Sequence, residues 1–325
     1  MRTRTLGRTG RDVSEIGFGA WQIGADWGEV DEDDAMATLR AAADAGVTFF
    51  DTADVYGDGR SERLVGRLRQ ERPGITVATK MGRREAQTVE NYDPGHFRRW
   101  NDRSRENLQQ ETLDLVQLHC PPTDLYYHQE VFADLEALAQ EERIGAWGVS
   151  VERVEEALKA IEYPGCATVQ IIFNPFRQRP AKLFFDEAWG RGVGIIVRVP
   201  LASGLLSGKY GRDTTFGEDD HRNFNRRGEA FDVGETFAGV PFEVGLDAVE
   251  DLRPLVPDGV TLAQFTLRWI LAHDAVSTVI PGARNPEQAQ ANAAAADLPA
   301  PNSHAMATIR RTYQERIAPH VHHRW

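Results

Sequence analysis

The chain has 325 residues, 41% hydrophobic and 26% charged, with a formal net charge of −12 at pH 7. Such an acidic protein repels nucleic-acid phosphates and anionic lipid headgroups, so we expect no nucleic-acid partner and no membrane partner. The two cysteines, Cys120 and Cys166, exclude a disulfide scaffold, and the chain has no run of 18 apolar residues. We therefore expect a cytoplasmic protein with free thiols.

Short apolar runs rich in β-branched residues recur along the chain and predict eight strands. They cover residues 14–18, 48–51, 76–80, 113–118, 145–149, 168–171, 194–197 and 277–280. Amphipathic stretches lie between them, including residues 35–45, which follow four acidic residues suited to a helix N-terminus, and residues 130–140.

Alternating strands and helices predict parallel pairing, and eight such units in a chain of this length favour a (β/α)8 TIM barrel over residues 1–325 as a single domain. An open, doubly wound sheet is the competing architecture. Residues 207–240 form a long polar stretch without a clear period, which is typical of a functional loop. A tail helix is predicted at 303–317, and both segments are expected to cover one end of the barrel.

Ionisable side chains mark the ends of three consecutive predicted strands. Asp51 ends the second strand, Lys80 the third and His119 the fourth, while Tyr56 follows five residues after Asp51. Taken singly, each is more often a rim or packing residue than a catalyst. Because the C-terminal ends of parallel barrel strands meet at one face, the four side chains together predict an active site.

With this set, the sequence resembles the aldo-keto reductase family, from Gly17-Phe18-Gly19 to the segment at residues 280–284. The resemblance implies hydride transfer between a nicotinamide cofactor and a carbonyl or alcohol. Tyr56 would donate the proton to the carbonyl oxygen, and the Lys80 ammonium would lower the pKa of that phenol. Asp51 would keep Lys80 charged, and His119 would orient the substrate.

The sequence carries neither the usual dinucleotide fingerprint nor a phosphate-binding P-loop. The cofactor-binding segments are therefore taken only from what the resemblance implies. NADP (NADPH) is expected as the preferred cofactor, with NAD as the other option, since an arginine beside a helix N-terminus suits a ribose 2′-phosphate. The expected cofactor-binding residues are Ser150, Gln170, Arg198, Leu201, Ser203, Gly204, Lys209, Gly282, Arg284, Gln288 and Asn292.

Three residues depart from the pattern of many relatives. Val151 stands where an asparagine follows the serine, and Ala291 replaces a glutamate before Asn292. Arg198 replaces an aromatic residue that stacks on the nicotinamide. A cation there would disfavour the oxidised, positively charged ring, and would recruit either an anionic substrate group or a nearby carboxylate.

The substrate pocket is the least determined part of the site. Trp21 and Trp27 follow the first strand and are expected to form an aromatic wall. The tail histidines at 320, 322 and 323 lack a clear ligand geometry, so no metal is expected. The partner is expected to be a small carbonyl or alcohol, including sugar-derived ones, and the oligomeric state stays open.

Three functions compete. The first is an NADP-dependent carbonyl reductase, or equally the reverse alcohol dehydrogenase. The second is a cofactor-binding regulatory subunit of the same fold, as in the potassium-channel β subunits. The third is an isomerase or aldolase with Lys80 as a Schiff base, which is weakened because a lysine paired with Asp51 is a poor amine nucleophile.

Overall fold

The computed structural model describes residues 1–24 and 30–325, and its centre is a sheet of eight parallel strands. Nearly all residues of these strands are buried, which accounts for their continuous apolar runs. Strands neighbour each other in chain order: β3 (Phe18–Gly19), β4 (Phe49–Asp51), β5 (Thr76–Met81), β6 (Leu115–His119), β7 (Trp147–Ser150), β8 (Cys166–Ile172), β9 (Gly194–Arg198) and β10 (Val276–Val279).

The first and last strands of this sheet meet and close it into a barrel. Gly17 N–H donates to the Val279 carbonyl at 2.8 Å, and Gly19 N–H donates to Pro281 at 3.1 Å. The predicted (β/α)8 barrel is thereby confirmed, and the open doubly wound sheet is wrong.

An N-terminal hairpin is the main element that the sequence pattern missed. Its strands are β1 (Thr3–Thr5) and β2 (Asp12–Ser14), so the predicted first strand at 14–18 divides between the hairpin and β3. The hairpin's Leu6 and Val13 pack with barrel-lining side chains such as Leu115 and Ile196. They close the end of the barrel opposite to the C-terminal ends of its strands.

Helices follow the barrel strands, as the alternating pattern predicts. Their bounds are α1 (Glu32–Asp44), α2 (Arg60–Glu71), α3 (Pro94–Leu108), α4 (Gln129–Gln140), α5 (Val154–Ala160), α6 (Phe184–Gly190), α7 (His221–Phe224), α8 (Phe242–Leu252), α9 (Leu262–Ile270), α10 (Pro286–Ala294), α11 (Ser303–Thr312) and α12 (Ala318–Val321). The acidic residues before α1 cap it as expected, because the Asp31 side chain accepts from the Asp33 and Asp34 N–H groups. Among the described helices, none is long and apolar enough to cross a membrane.

The stretch at 207–240 and the tail pack against each other at the C-terminal end of the barrel. The stretch carries α7 and short 3-10 turns, and the tail ends in Trp325, whose side chain is buried beside Gly234 and Gly239. The predicted tail helix at 303–317 is α11 followed by a wider turn at Tyr313–Ile317.

Candidate active site

A cavity of about 490 Å³ opens at the C-terminal ends of the barrel strands. It brings together most of the residues that the sequence singles out. Its walls include Trp21, Asp51, Tyr56, His119, Ser150, Gln170, Arg198, Leu201, Ser203, Gly204, Lys209, Gly282, Arg284, Gln288 and Asn292. Lys80 lies buried behind Asp51 and Tyr56, and Trp27 falls outside the described residues.

Lys80 connects the polar groups of the cavity floor. Its ammonium forms an ion pair with Asp51 and donates to the Thr52 carbonyl at 2.8 Å and to the Tyr56 hydroxyl at 3.4 Å. Burial lowers the pKa of Lys80, but the Asp51 carboxylate and the Tyr56 hydroxyl outweigh burial and raise that pKa above its usual value. Lys80 therefore stays charged at neutral pH.

Asp51 has a complete set of partners. Besides Lys80, its Oδ2 accepts from the side-chain amides of Gln170 at 2.7 Å and Gln117 at 3.2 Å. Sequence reasoning missed Gln117, although it lies two residues before His119 in β6 and period-two alternation puts both on one face. These bonds compensate the burial of the carboxylate.

The pKa of Tyr56 is set by opposing contributions. Burial raises it, the Lys80 ammonium lowers it as the sequence predicts, and the Asp51 carboxylate raises it. Burial and the Asp51 carboxylate outweigh the ammonium, so the net shift is upward from 10. Tyr56 is a protonated phenol at neutral pH, which is the form a proton donor needs.

His119 faces Tyr56 as a neutral imidazole. The two rings meet edge to face with centroids 5.8 Å apart. Burial, together with the charges of Arg83, Lys80 and Arg198, lowers the pKa of His119 well below its usual value. A neutral ring can hydrogen-bond a substrate oxygen without adding a charge to the site.

Past β9, the chain lines the cavity in a left-handed conformation. Val199, Ala202, Ser203 and Gly204 have φ of 50°, 47°, 52° and 95°. A Cβ on Gly204 would lie 2.2 Å from the Tyr210 hydroxyl. Strained backbone of this kind is typical of ligand sites, and a small residue lets the backbone approach a bound group closely.

Two exposed cations also line the cavity. Within the described part of the chain, the side chains of Lys209 and Arg284 have no hydrogen-bond or ion-pair partner. Arg284 precedes α10, whose N-cap Asn285 accepts from Gln288 N–H at 2.9 Å. Cations beside a helix N-terminus attract phosphate groups, so the lining fits a dinucleotide phosphate.

The remaining expected cofactor residues make contacts with the protein itself. The Gln170 amide donates to Asp51, and the Ser150 hydroxyl lies 3.5 Å from the Cys120 thiol. The Asn292 amide donates to the Gly282 carbonyl at 3.1 Å. Gly282 lies against Gln22, which a Cβ would meet at 1.7 Å.

Arg198 recruits carboxylates of the protein. Its Nη2 lies 2.8 Å from Glu152 Oε2, and its Nη1 lies 3.6 Å from Glu235 Oε1. The sequence left two kinds of partner open for Arg198, an anionic substrate group or a nearby carboxylate. Glu152 and Glu235 are carboxylates of the second kind. Glu235 comes from the irregular stretch at 207–240, so no sequence signal linked it to the site.

Trp21 forms the aromatic wall expected of it. Its ring stacks on Tyr56 with centroids 6.1 Å apart and meets His221 at 5.4 Å and Phe231 at 6.0 Å. His221 and Phe231 belong to the irregular stretch and extend this wall over the cavity floor.

The model of the "Aldo/keto reductase family" matches residues 15–313, and the chain belongs to this family. Members of the family are oxidoreductases that generally reduce carbonyls with NAD(P)H. The chain is 30% identical over 299 residues to "Aldo-keto reductase YhdN" of Bacillus subtilis, with coverage of 90% of this chain and 87% of that protein.

Further comparisons extend the similarity to other proteins. A "Probable voltage-gated potassium channel subunit beta" of Arabidopsis thaliana is 28% identical, with 92% of each chain covered. The solved glycerol dehydrogenase AKR11B4 of Gluconobacter oxydans superposes with a TM-score of 0.78 at 29% identity, covering 98% of this chain and 96% of that one. Solved structures that share the fold at 22% and 24% identity include Klebsiella pneumoniae aldo-keto reductases in complex with NADP and with NADPH.

Proposed function

We propose that the protein is an NADP(H)-dependent oxidoreductase that interconverts a small aldehyde or ketone and the corresponding alcohol, with Tyr56 as the proton donor. The observation that carries the proposal is the cavity floor, where Tyr56 stands 3.4 Å from a buried Lys80 ammonium that Asp51 holds in place. When bound, the nicotinamide supplies or accepts the hydride.

The residues of the floor divide the remaining chemistry. In reduction, the Tyr56 hydroxyl gives its proton to the developing alkoxide, and Lys80 stabilises the phenolate that is left. Asp51 keeps the ammonium charged and aimed at Tyr56. Neutral His119 hydrogen-bonds the carbonyl oxygen and orients it toward Tyr56.

The phosphate end of the cavity supports NADP over NAD. Arg284 and Lys209 supply two cations without an ion-pair partner among the described residues, and the N-terminus of α10 adds a further positive potential. In this proposal, Arg284 binds the adenosine 2′-phosphate, while Ser203, Gly204 and Leu201 border the pyrophosphate.

The substrate end favours an uncharged molecule. Trp21 and the neighbouring aromatic rings form an apolar wall, and the Arg198 guanidinium is already paired with carboxylates. A neutral carbonyl compound, including a sugar or polyol derivative that stacks on an aromatic face, suits these walls.

The test compares the wild type with Tyr56→Phe across a panel of aldehydes and ketones, and follows nicotinamide absorbance with NADPH and with NADH. We expect NADPH to be consumed in preference to NADH, and the Phe variant to lose at least 100-fold in kcat because proton donation contributes about 10²–10⁴-fold. NADPH titrated into the variant should still bind. Near-normal kcat in the Phe variant would show that Tyr56 is not the proton donor.

The similarity to a potassium-channel β subunit keeps a regulatory function as the second candidate. In that case NADPH would bind, but every substrate of the panel would be turned over very slowly, and Tyr56→Phe would change little. The same experiment therefore separates the two functions.

A further inference from the structure

A cluster of four charged side chains, two buried and two partly buried, borders the cavity beside the floor. It consists of Arg83, Arg198, Glu152 and Glu235, which are joined by four ion pairs. Arg198 contacts Glu152 at 2.8 Å and Glu235 at 3.6 Å, and Arg83 contacts the same carboxylates at 3.5 and 3.2 Å. Two guanidinium groups thus face two carboxylates in a largely buried cluster, of which Arg83 is the most exposed member.

Two members of the cluster line the cavity itself. Arg198 ends β9 and lines the cavity with Glu235, on the same walls as Tyr56 and His119. Arg83 also donates from Nε to the His119 carbonyl at 3.2 Å. A carbonyl held by Tyr56 and His119 must exchange its hydride with the nicotinamide, so the cluster borders the end of the cavity where a bound nicotinamide ring would lie.

The redox state of a bound nicotinamide would change the charge at that end of the cavity. The oxidised nicotinamide ring carries one positive charge that the reduced ring lacks. A guanidinium beside the ring repels only the oxidised form, and in a partly buried site such a repulsion is much stronger than in water. A carboxylate paired with the guanidinium cancels the repulsion.

We infer that Glu235, assisted by Glu152, determines the relative affinity of the site for oxidised and reduced nicotinamide by compensating the charge of Arg198. The inference rests on the proposed function, because it needs a nicotinamide in this cavity. Glu235 and Glu152 are specificity-determining residues for the redox state of the cofactor, in addition to the four residues of the floor.

The two carboxylates are not equivalent. Burial raises the pKa of Glu152, and despite the opposing charge of Arg198 the pKa reaches about 7. Burial acts on Glu235 in the same direction, but Arg83 and Arg198 outweigh it and hold the pKa of Glu235 low. Glu235 therefore carries a full charge at neutral pH, and Glu235→Gln is the sharper substitution.

The experiment measures the dissociation constants of NADP⁺ and NADPH by calorimetry at pH 8, where both glutamates are mainly ionised. The proteins are the wild type, Glu235→Gln, Arg198→Gln and the double variant. We expect the ratio Kd(NADP⁺)/Kd(NADPH) to rise at least fivefold in Glu235→Gln and to fall at least fivefold in Arg198→Gln. In the double variant, where the charge change cancels, the ratio should return to within twofold of wild type.

Both nucleotides are measured on one preparation, so a reduced folded fraction cancels in the ratio. If Glu235→Gln does not fold, Glu152→Gln should shift the ratio in the same direction. The inference is overturned if the single variants change the ratio by less than twofold or shift it in the same direction. If the wild type binds neither nucleotide, the proposed function itself fails, which is a distinct result.

Discussion

Asp54 is the residue whose environment differs most from that of an ordinary aspartate. It follows the second barrel strand and is fully buried, and neither of its carboxylate oxygens has a hydrogen-bond partner among the described residues. Burial, with the neighbouring Glu62 carboxylate, raises the pKa of Asp54 to about 7. The unfolded chain titrates this group near 3.8, so the folded state holds an extra proton between those two values.

The sign of the linkage gives a prediction for Asp54→Asn. Because the folded state binds more protons than the unfolded state between about pH 4 and 7, the stability contributed by Asp54 falls as pH rises through that window. Asparagine does not titrate. The variant should therefore gain about 1–3 kcal/mol relative to wild type between pH 5 and pH 8, measured by urea unfolding at both values.

Asp58→Asn is the matched control, because exposed Asp58 pairs with Arg84 and Arg103, and hydrogen bonds from these arginines lower its pKa. Its removal should bring no gain at pH 8. Equal pH dependence of wild type and Asp54→Asn would show that Asp54 is ionised in the folded protein throughout the range.

At the scale of elements, the barrel strands could be predicted and the segments around them only in part. Residues 194–197 and 76–80 match β9 and β5 closely because β-branched runs buried on both faces leave a clear signal. The N-terminal hairpin has three-residue strands, too short to show a period. The same holds for the candidate site. The strand-end residues that line the cavity could be predicted, whereas the position of Glu235 in the irregular stretch depends on tertiary contacts.

The segment at 232–239 that carries Glu235 is held from two sides. On one side, the Ser203 hydroxyl donates to the Glu235 carbonyl at 3.1 Å, and Phe237 N–H donates to that hydroxyl at 3.1 Å. On the other, the Trp325 indole N–H donates to Asp232 at 3.0 Å. The buried Trp325 ring also lies 3.7 Å from the Arg177 guanidinium.

Trp325→Ala should loosen this segment. The substitution leaves a large cavity and costs about 3–5 kcal/mol, and it removes the support beneath the turn that carries Glu235. We expect faster amide hydrogen exchange in a peptide covering 232–239. We also expect a several-fold weaker affinity for NADP⁺, because a displaced Glu235 no longer compensates the charge of Arg198. The effect on kcat should be smaller, because none of the four residues of the cavity floor belongs to this segment.

Trp189→Ala provides the control, since Trp189 is a tryptophan that is 67% exposed on α6. It should leave both hydrogen exchange in 232–239 and NADP⁺ affinity unchanged. A Trp325→Ala variant with wild-type exchange in this segment would show that the Ser203 contacts alone hold it.

Across the whole molecule, the two ends of the barrel have different duties. The cavity and its charges lie at the C-terminal ends of the strands, while the hairpin fills the opposite end. The hairpin packs closely against the start of β9 at Gly7, where φ is 50° and a Cβ would lie 2.1 Å from Gly194 N. Gly10, three residues later, has φ of 70° with nothing within 4 Å of a Cβ.

Comparing Gly7→Ala with Gly10→Ala should therefore separate the free-energy cost of a steric clash with β9 from that of backbone strain. Both substitutions carry the strain of alanine at positive φ, which destabilises by about 1 kcal/mol, but only Gly7→Ala must also displace the start of β9. We expect the free energy of unfolding of Gly7→Ala to fall by roughly 1–3 kcal/mol more than that of Gly10→Ala, which is the usual cost of overpacking.

At a temperature where both variants stay folded, kcat and KM for NADPH should equal the wild-type values, because the substituted residue lies at the end of the barrel away from the cavity. A changed KM in folded Gly7→Ala would mean instead that the hairpin and the cavity are coupled through β9, which ends in Arg198.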